Sequence, residues 1–90
     1  MPSITREELA VLMTETAQAH HQAYRETDGV DPEWASWYAP VLQARLGDRL
    51  GRTVTRSEIV YLLLKAEREY EDARPGSAWP DFYADVFLEA

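Results

Sequence analysis

The sequence predicts an all-α, four-helix domain written as two tandem αα-hairpins, and three observations carry that expectation. Apolar residues recur at three- and four-residue spacing in four separate stretches. Two Thr-x-x-Glu capping boxes, one from Thr5 to Glu8 and one from Thr55 to Glu58, each open such a stretch. An aromatic phrase also occurs twice, as Trp34-x-x-Trp37-Tyr38-Ala39-x-Val41-Leu42 and as Trp79-x-x-Phe82-Tyr83-Ala84-x-Val86-Phe87.

The first helix is expected over residues 5–27. Thr5 and Glu8 each cover a free backbone N–H of its first turn, and Leu9, Leu12, Met13, Thr16, His20 and Ala23 form one stripe. Gly29 offers the left-handed turn that ends it. The second helix is expected over 32–47, with Asp31 capping and Pro32 at the first helical position, where a missing N–H costs nothing. Its stripe is Trp34, Trp37, Tyr38, Val41, Leu42 and Arg45. Pro40 conflicts with it, because a proline this deep removes the bond to the carbonyl of Ser36 and predicts a kink or a break. Gly47 and Gly51 bracket the exit. The third helix, 56–73, carries Ile59, Leu62, Leu63, Ala66 and Tyr70, and Arg74-Pro75-Gly76 stops it. The fourth, 78–89, is capped by Ser77 and keeps Pro80 inside its permissive first turn.

Thr5-Arg6-x-Glu8-Leu9 aligns with Thr55-Arg56-x-Glu58-Ile59 at an offset of 50, and the aromatic phrases align at an offset of 45. The five-residue mismatch falls in the connector from Thr27 to Glu33, where an insertion is best tolerated. Residues 1–90 thus read as one domain, with one repeat over about 5–50 and a second over about 55–90. Neither hairpin could bury its aromatic stripe alone, and two packed face to face could. On this reading the aromatics are core first.

Nine basic residues stand against sixteen acidic ones, a formal charge of −7. Such a chain is repelled by nucleic-acid phosphates and by anionic lipid, so neither partner is expected. The absence of cysteine excludes disulfides, thiolate nucleophiles and thiolate-bound metals. The acidic N-terminal stretch reads as neither signal peptide nor anchor, and the apolar run from Ile59 to Leu64 is too short to span a bilayer. A cytoplasmic protein is the expectation.

No catalytic constellation emerges. His20 and His21 would attract a metal, with Asp28 and Asp31 as further oxygen donors, but His20 lies on the apolar stripe and Tyr70 is its counterpart. The bland reading is a core ring with one satisfied hydrogen bond. Tyr24 and Arg25 occupy the places where a second helical ligand would stand, so no metal and no cofactor is expected. Residues 27–31 lack the alternating ligands of a calcium loop. Phosphate loops and nucleophile elbows are missing, as is the Asp-Ser-Leu attachment site of an acyl carrier. Residues 46–71 are similar to the helical half of ribbon-helix-helix repressors, yet Trp34 to Leu42 replaces the basic strand those proteins need.

His20-His21-x-Ala23-Tyr24 followed by Asp31-Pro32-x-Trp34-x-x-Trp37-Tyr38-Ala39 resembles a phrase shared by small bacterial all-helical proteins of unassigned function. Ala35 stands here where a proline often follows that Trp. The resemblance implies a fold class and no reaction.

Two readings remain. One is a non-catalytic interaction or regulatory domain that self-associates and has room for a further protein partner. Helix three is apolar nearly all round its first half, which leaves Val60, Tyr61 and Leu64 over as a homodimer patch unless the connector from Leu46 to Val54 covers them. The other is a domain that binds a small ligand or metal, catalytic or not, using His20 with Tyr24, Trp34, Trp37, Tyr38 and Tyr83 as pocket walls.

Overall fold

The structure is a computed structural model, which describes residues 2–27 and 31–90. Four α-helices and no strand are found among them: α1 Arg6–Ala23, α2 Trp34–Leu46, α3 Arg56–Ala73 and α4 Trp79–Glu89. Both capping boxes form. Thr5 Oγ1 accepts from the Glu8 N–H at 3.0 Å and Thr55 Oγ1 from the Glu58 N–H at 3.1 Å, while each Glu carboxylate accepts the N–H of its own Thr. The two helices they open are each 18 residues long. The residue before each cap, Ile4 and Val54, is buried, so the entry of the chain is pinned from both sides.

The main packing partners are α1 with α4, α2 with α3, and each helix with its own hairpin neighbour. Exchanging α1 for α3 and α2 for α4 maps this arrangement onto itself. Leu9 and Ile59 are both fully buried, as are Met13 and Leu63, and Thr16 and Ala66. Tyr38 and Tyr83 are each 8% exposed. Ring spacing repeats too: Trp34–Tyr38 and Trp79–Tyr83 each have centroids 5.1 Å apart with planes near perpendicular. Arg6 at the start of α1 reaches Asp85 on α4 at 2.7 Å, and Arg56 at the start of α3 reaches Gln43 on α2 at 3.0 Å. The repeat seen in the sequence is therefore a repeat of contacts.

Several boundaries differ from expectation. α1 stops at Ala23, where the Tyr24 N–H still reaches the His20 carbonyl, and Arg25–Thr27 tighten into a 3-10 turn. Asp28 and Gly29 lie outside the described residues. α2 begins at Trp34, not Pro32, because Asp31 caps a turn: its Oδ1 accepts the Glu33 N–H at 3.0 Å. α2 is not broken at Pro40, which sits inside one continuous helix. Ser36, whose carbonyl loses its partner, lies exposed, while Ala39 and Leu42 on either side of the proline are buried and hold the register. Arg74, not Gly76, takes the left-handed conformation that ends α3, at φ 45°. α4 starts at Trp79 with Ala78 at the cap, and Ser77 instead offers its carbonyl to Tyr70. Gly47 and Gly51 do supply the positive φ of the exit from α2.

No helix among the described residues is long and apolar enough to cross a membrane. Pro40→Ala restores the bond to the Ser36 carbonyl and removes the ring from the helix interior. It is expected to raise unfolding free energy by about 1–3 kcal/mol in urea titrations, and an unchanged midpoint would show that this turn is already fully relaxed.

Candidate functional site

The last two turns of α1 bring His20 onto the buried stripe, where it is 7% exposed. Its ring stacks on Tyr24 at 4.8 Å and meets Trp37 edge-on at 5.1 Å and Tyr38 at 5.3 Å. Nε2 lies 3.0 Å from Oδ2 of Asp31, and both side chains are more than nine-tenths buried. The turn before α2 delivers this carboxylate. One oxygen holds the turn through the Glu33 N–H, which frees the other for the histidine. The hydrogen bond from His20 holds Asp31 below the ordinary value of 3.8, with help from the Glu33 N–H and Tyr24 and against the cost of burial.

The second repeat supplies a built-in control. Tyr70 takes the place of His20, packing on Phe82 and Tyr83 as His20 packs on Trp37 and Tyr38. Its hydroxyl donates to the Ser77 carbonyl at 3.1 Å. An aromatic ring with one neutral hydrogen bond therefore meets the needs of this fold at that point. The buried His20–Asp31 pair goes beyond those needs, and removing two groups this polar from water is costly.

His20 and Asp31 face a pocket of about 300 Å³ at the end of the bundle where α1 and α3 finish and α2 and α4 begin. Trp34 and Tyr38 wall it from the first repeat, Trp79 and Tyr83 from the second, and Glu67 of α3 closes the lining. Neither the Tyr38 nor the Tyr83 hydroxyl has a hydrogen-bond partner among the described residues, and no buried side-chain donor or acceptor is left unsatisfied. Both hydroxyls thus open onto the pocket although the residues carrying them are over nine-tenths buried. Burial raises both phenols above their ordinary value of 10, and for Tyr83 the Glu67 carboxylate and Tyr38 add to the effect. Each is a neutral phenol at physiological pH, able to donate one hydrogen bond and accept another. Glu67 has neither ion pair nor hydrogen bond among the described residues.

Of the residues singled out in the sequence, His20, Asp31, Trp34, Tyr38 and Tyr83 come together here. Tyr24 and Trp37 do not line the pocket and instead support His20 from behind. His21 is exposed and borders a separate groove with Gln18 and Pro80. Among the described residues no group of three or more His, Asp or Glu side chains is placed to hold a metal ion. Trp79 and Glu67 belong to the site although sequence reasoning passed over both. Trp79 is the repeat counterpart of Trp34 and was findable from the repeat, whereas Glu67, three residues before Tyr70 on the same helix face, has only Ala17 as its counterpart. Tyr61 and Leu64 lie exposed on α3, outside the pocket lining, and Val60 is half-buried beside them. No protein-family model, curated protein or solved structure gives a significant match to this chain.

The lowered pKa fixes a sign. Asp31 contributes stability that is full above its ordinary value of 3.8 and is lost as pH falls through its folded value. Asp31→Asn is expected to be less stable than wild type at pH 7, with the difference closing only as pH falls below 3.8. Glu8 and Glu58 are also held low, but they titrate in both proteins and cancel. His20→Tyr alone is expected to destabilise by stranding Asp31, and His20→Tyr with Asp31→Asn to recover most of that loss in urea titrations. A double variant no more stable than the single one would mean that the histidine serves the fold itself.

Proposed function

We propose that this protein is a small-molecule-binding domain whose ligand occupies the pocket at the end of the bundle. One observation carries the reading. Two phenol hydroxyls without partners converge, from opposite repeats, on the pocket that the His20–Asp31 pair also faces. These hydroxyls are open to water in the free protein, and a ligand bearing a hydroxyl, ether or carbonyl can take the place of that water.

The reading is tested by an NMR screen of a mixed library of neutral, cationic and anionic fragments against labelled protein. Hits are expected to move the indole signals of Trp34 and Trp79 and the backbone signals around Tyr38 and Tyr83. Hits confined to other faces, or none at all, would remove the pocket as the functional site.

A second reading, self-association, rests on the outer face of α3. Tyr61 is 61% exposed and Leu64 47%. Beside them on α3, Val60 lines a groove with Ser36, Ala39, Pro40, Arg56 and Ser57. The connector expected as an alternative cover runs elsewhere: Val54 accepts from Gln43, and Arg49 meets Ser3 and Glu8. The first repeat has Val11 and Thr14 where Tyr61 and Leu64 stand, so the larger exposed apolar side chains belong to the second repeat. Sedimentation is expected to show dimers of the wild type at tens of micromolar and monomers of Tyr61→Lys with Leu64→Glu. A wild type that stays monomeric across that range discards this reading.

A further inference from the structure

We infer that the ligand of the end pocket is a small organic ammonium ion, an inference that rests on the pocket being a binding site at all. Its walls offer four aromatic rings, and the face of each carries the negative end of the ring quadrupole, which attracts cations of low hydration. The ring pairs Trp34–Tyr38 and Trp79–Tyr83 approach from the two repeats, each locked edge-to-face at 5.1 Å, so the walls are set before a ligand arrives. No Lys or Arg lines the pocket, and Glu67 there has no cationic partner among the described residues.

The pocket carries net negative charge wherever the His20 proton lies. With the histidine neutral, Asp31 and Glu67 give the pocket two negative charges. With it protonated, the His20–Asp31 pair is neutral and Glu67 leaves one. An anion would face this charge and the −7 of the whole chain, and a neutral ligand would leave the Glu67 carboxylate uncompensated. The Tyr38 and Tyr83 hydroxyls then meet a polar group carried beside the ammonium centre, as in a hydroxyalkyl ammonium compound.

Choline, tetramethylammonium and 3,3-dimethylbutan-1-ol, the uncharged carbon isostere of choline, are titrated into labelled protein at constant ionic strength. Choline and tetramethylammonium are expected to shift the Trp34 and Trp79 indole signals saturably, with choline binding at least about fivefold more tightly than the isostere. Glu67→Gln, which removes no hydrogen bond or ion pair among the described residues, is expected to weaken choline several-fold and leave the isostere unchanged. Trp79→Leu is expected to weaken both cations. A peptide bearing Nε-trimethyllysine separates the two sources of such a group. Tighter binding than choline assigns it to a protein side chain, and equal or weaker binding to a free compound.

Isostere binding as tight as choline overturns the ammonium inference and leaves the pocket standing. So does the absence of binding by either cation when fragments from the wider library still reach the pocket. Silence of the pocket signals toward every compound overturns both.

Discussion

The fold depends on one constraint: neither hairpin can bury its apolar face without the other. α1 turns its stripe to α4 as well as to α2, and α3 turns its stripe to α2 as well as to α4. The consequence is a core in which Leu9, Met13, Ile59 and Leu63 are wholly removed from water although each lies on a different face of the chain's history. Side chains of this size are worth roughly 1.5–3 kcal/mol each when fully buried, a gain available only in the assembled four-helix unit. The capping boxes set where each long helix starts, and the pairing across repeats sets what it touches.

Internal symmetry of this kind places equivalent side chains on opposite sides of a common axis. Trp34 and Tyr38 meet their counterparts Trp79 and Tyr83 across the end of the bundle, so the pocket is a product of the same pairing that makes the core. The packing then leaves room for the repeats to diverge where the fold does not object. His20 stands where the second repeat has Tyr70, Glu67 stands where the first has Ala17, and Asp31 comes from the connector in which the two repeats differ in length. All three border one pocket. The outer groove shows a separate divergence, in which the Val60, Tyr61 and Leu64 set stands where Ala10, Val11 and Thr14 stand in the first repeat.

The four helices, both capping boxes and the Trp-Tyr equivalence were legible because each rests on a local rule or a repeated phrase. The equivalence of His20 and Tyr70 was also legible, through the offset of 50. The pocket was only half legible. Asp31 reads as a cap because its spacing to Pro32 is that of a cap, and nothing in one dimension shows its second oxygen meeting a histidine eleven residues earlier. Glu67 was invisible as one acid among sixteen. Of the kink or break expected at Pro40, the break is absent for a tertiary reason. Intrinsic preference would interrupt α2, but buried Ala39 and Leu42 anchor the helix on both sides, and the freed carbonyl belongs to exposed Ser36. Ser77 misled similarly: its carbonyl, not its side chain, is what the structure uses.

The polar differences between the repeats also determine what kind of recognition the pocket supports. A box of two identical ring pairs related by a two-fold axis would hold a ligand equally well in two orientations, and it could discriminate little beyond size. Glu67 marks one side of this box with an unpaired carboxylate. Asp31 marks the other with a carboxylate already committed to His20, and therefore less available to a cation. A charged group entering the pocket meets a stronger pull toward α3 than toward α1, while the rings hold its apolar parts without regard to direction. Orientation thus comes from broken symmetry and affinity from the symmetry that remains. On the proposed reading, the His20–Asp31 pair keeps one wall polar while its carboxylate is engaged by the histidine, and the Glu67 carboxylate is the group that would set which way a cationic ligand points.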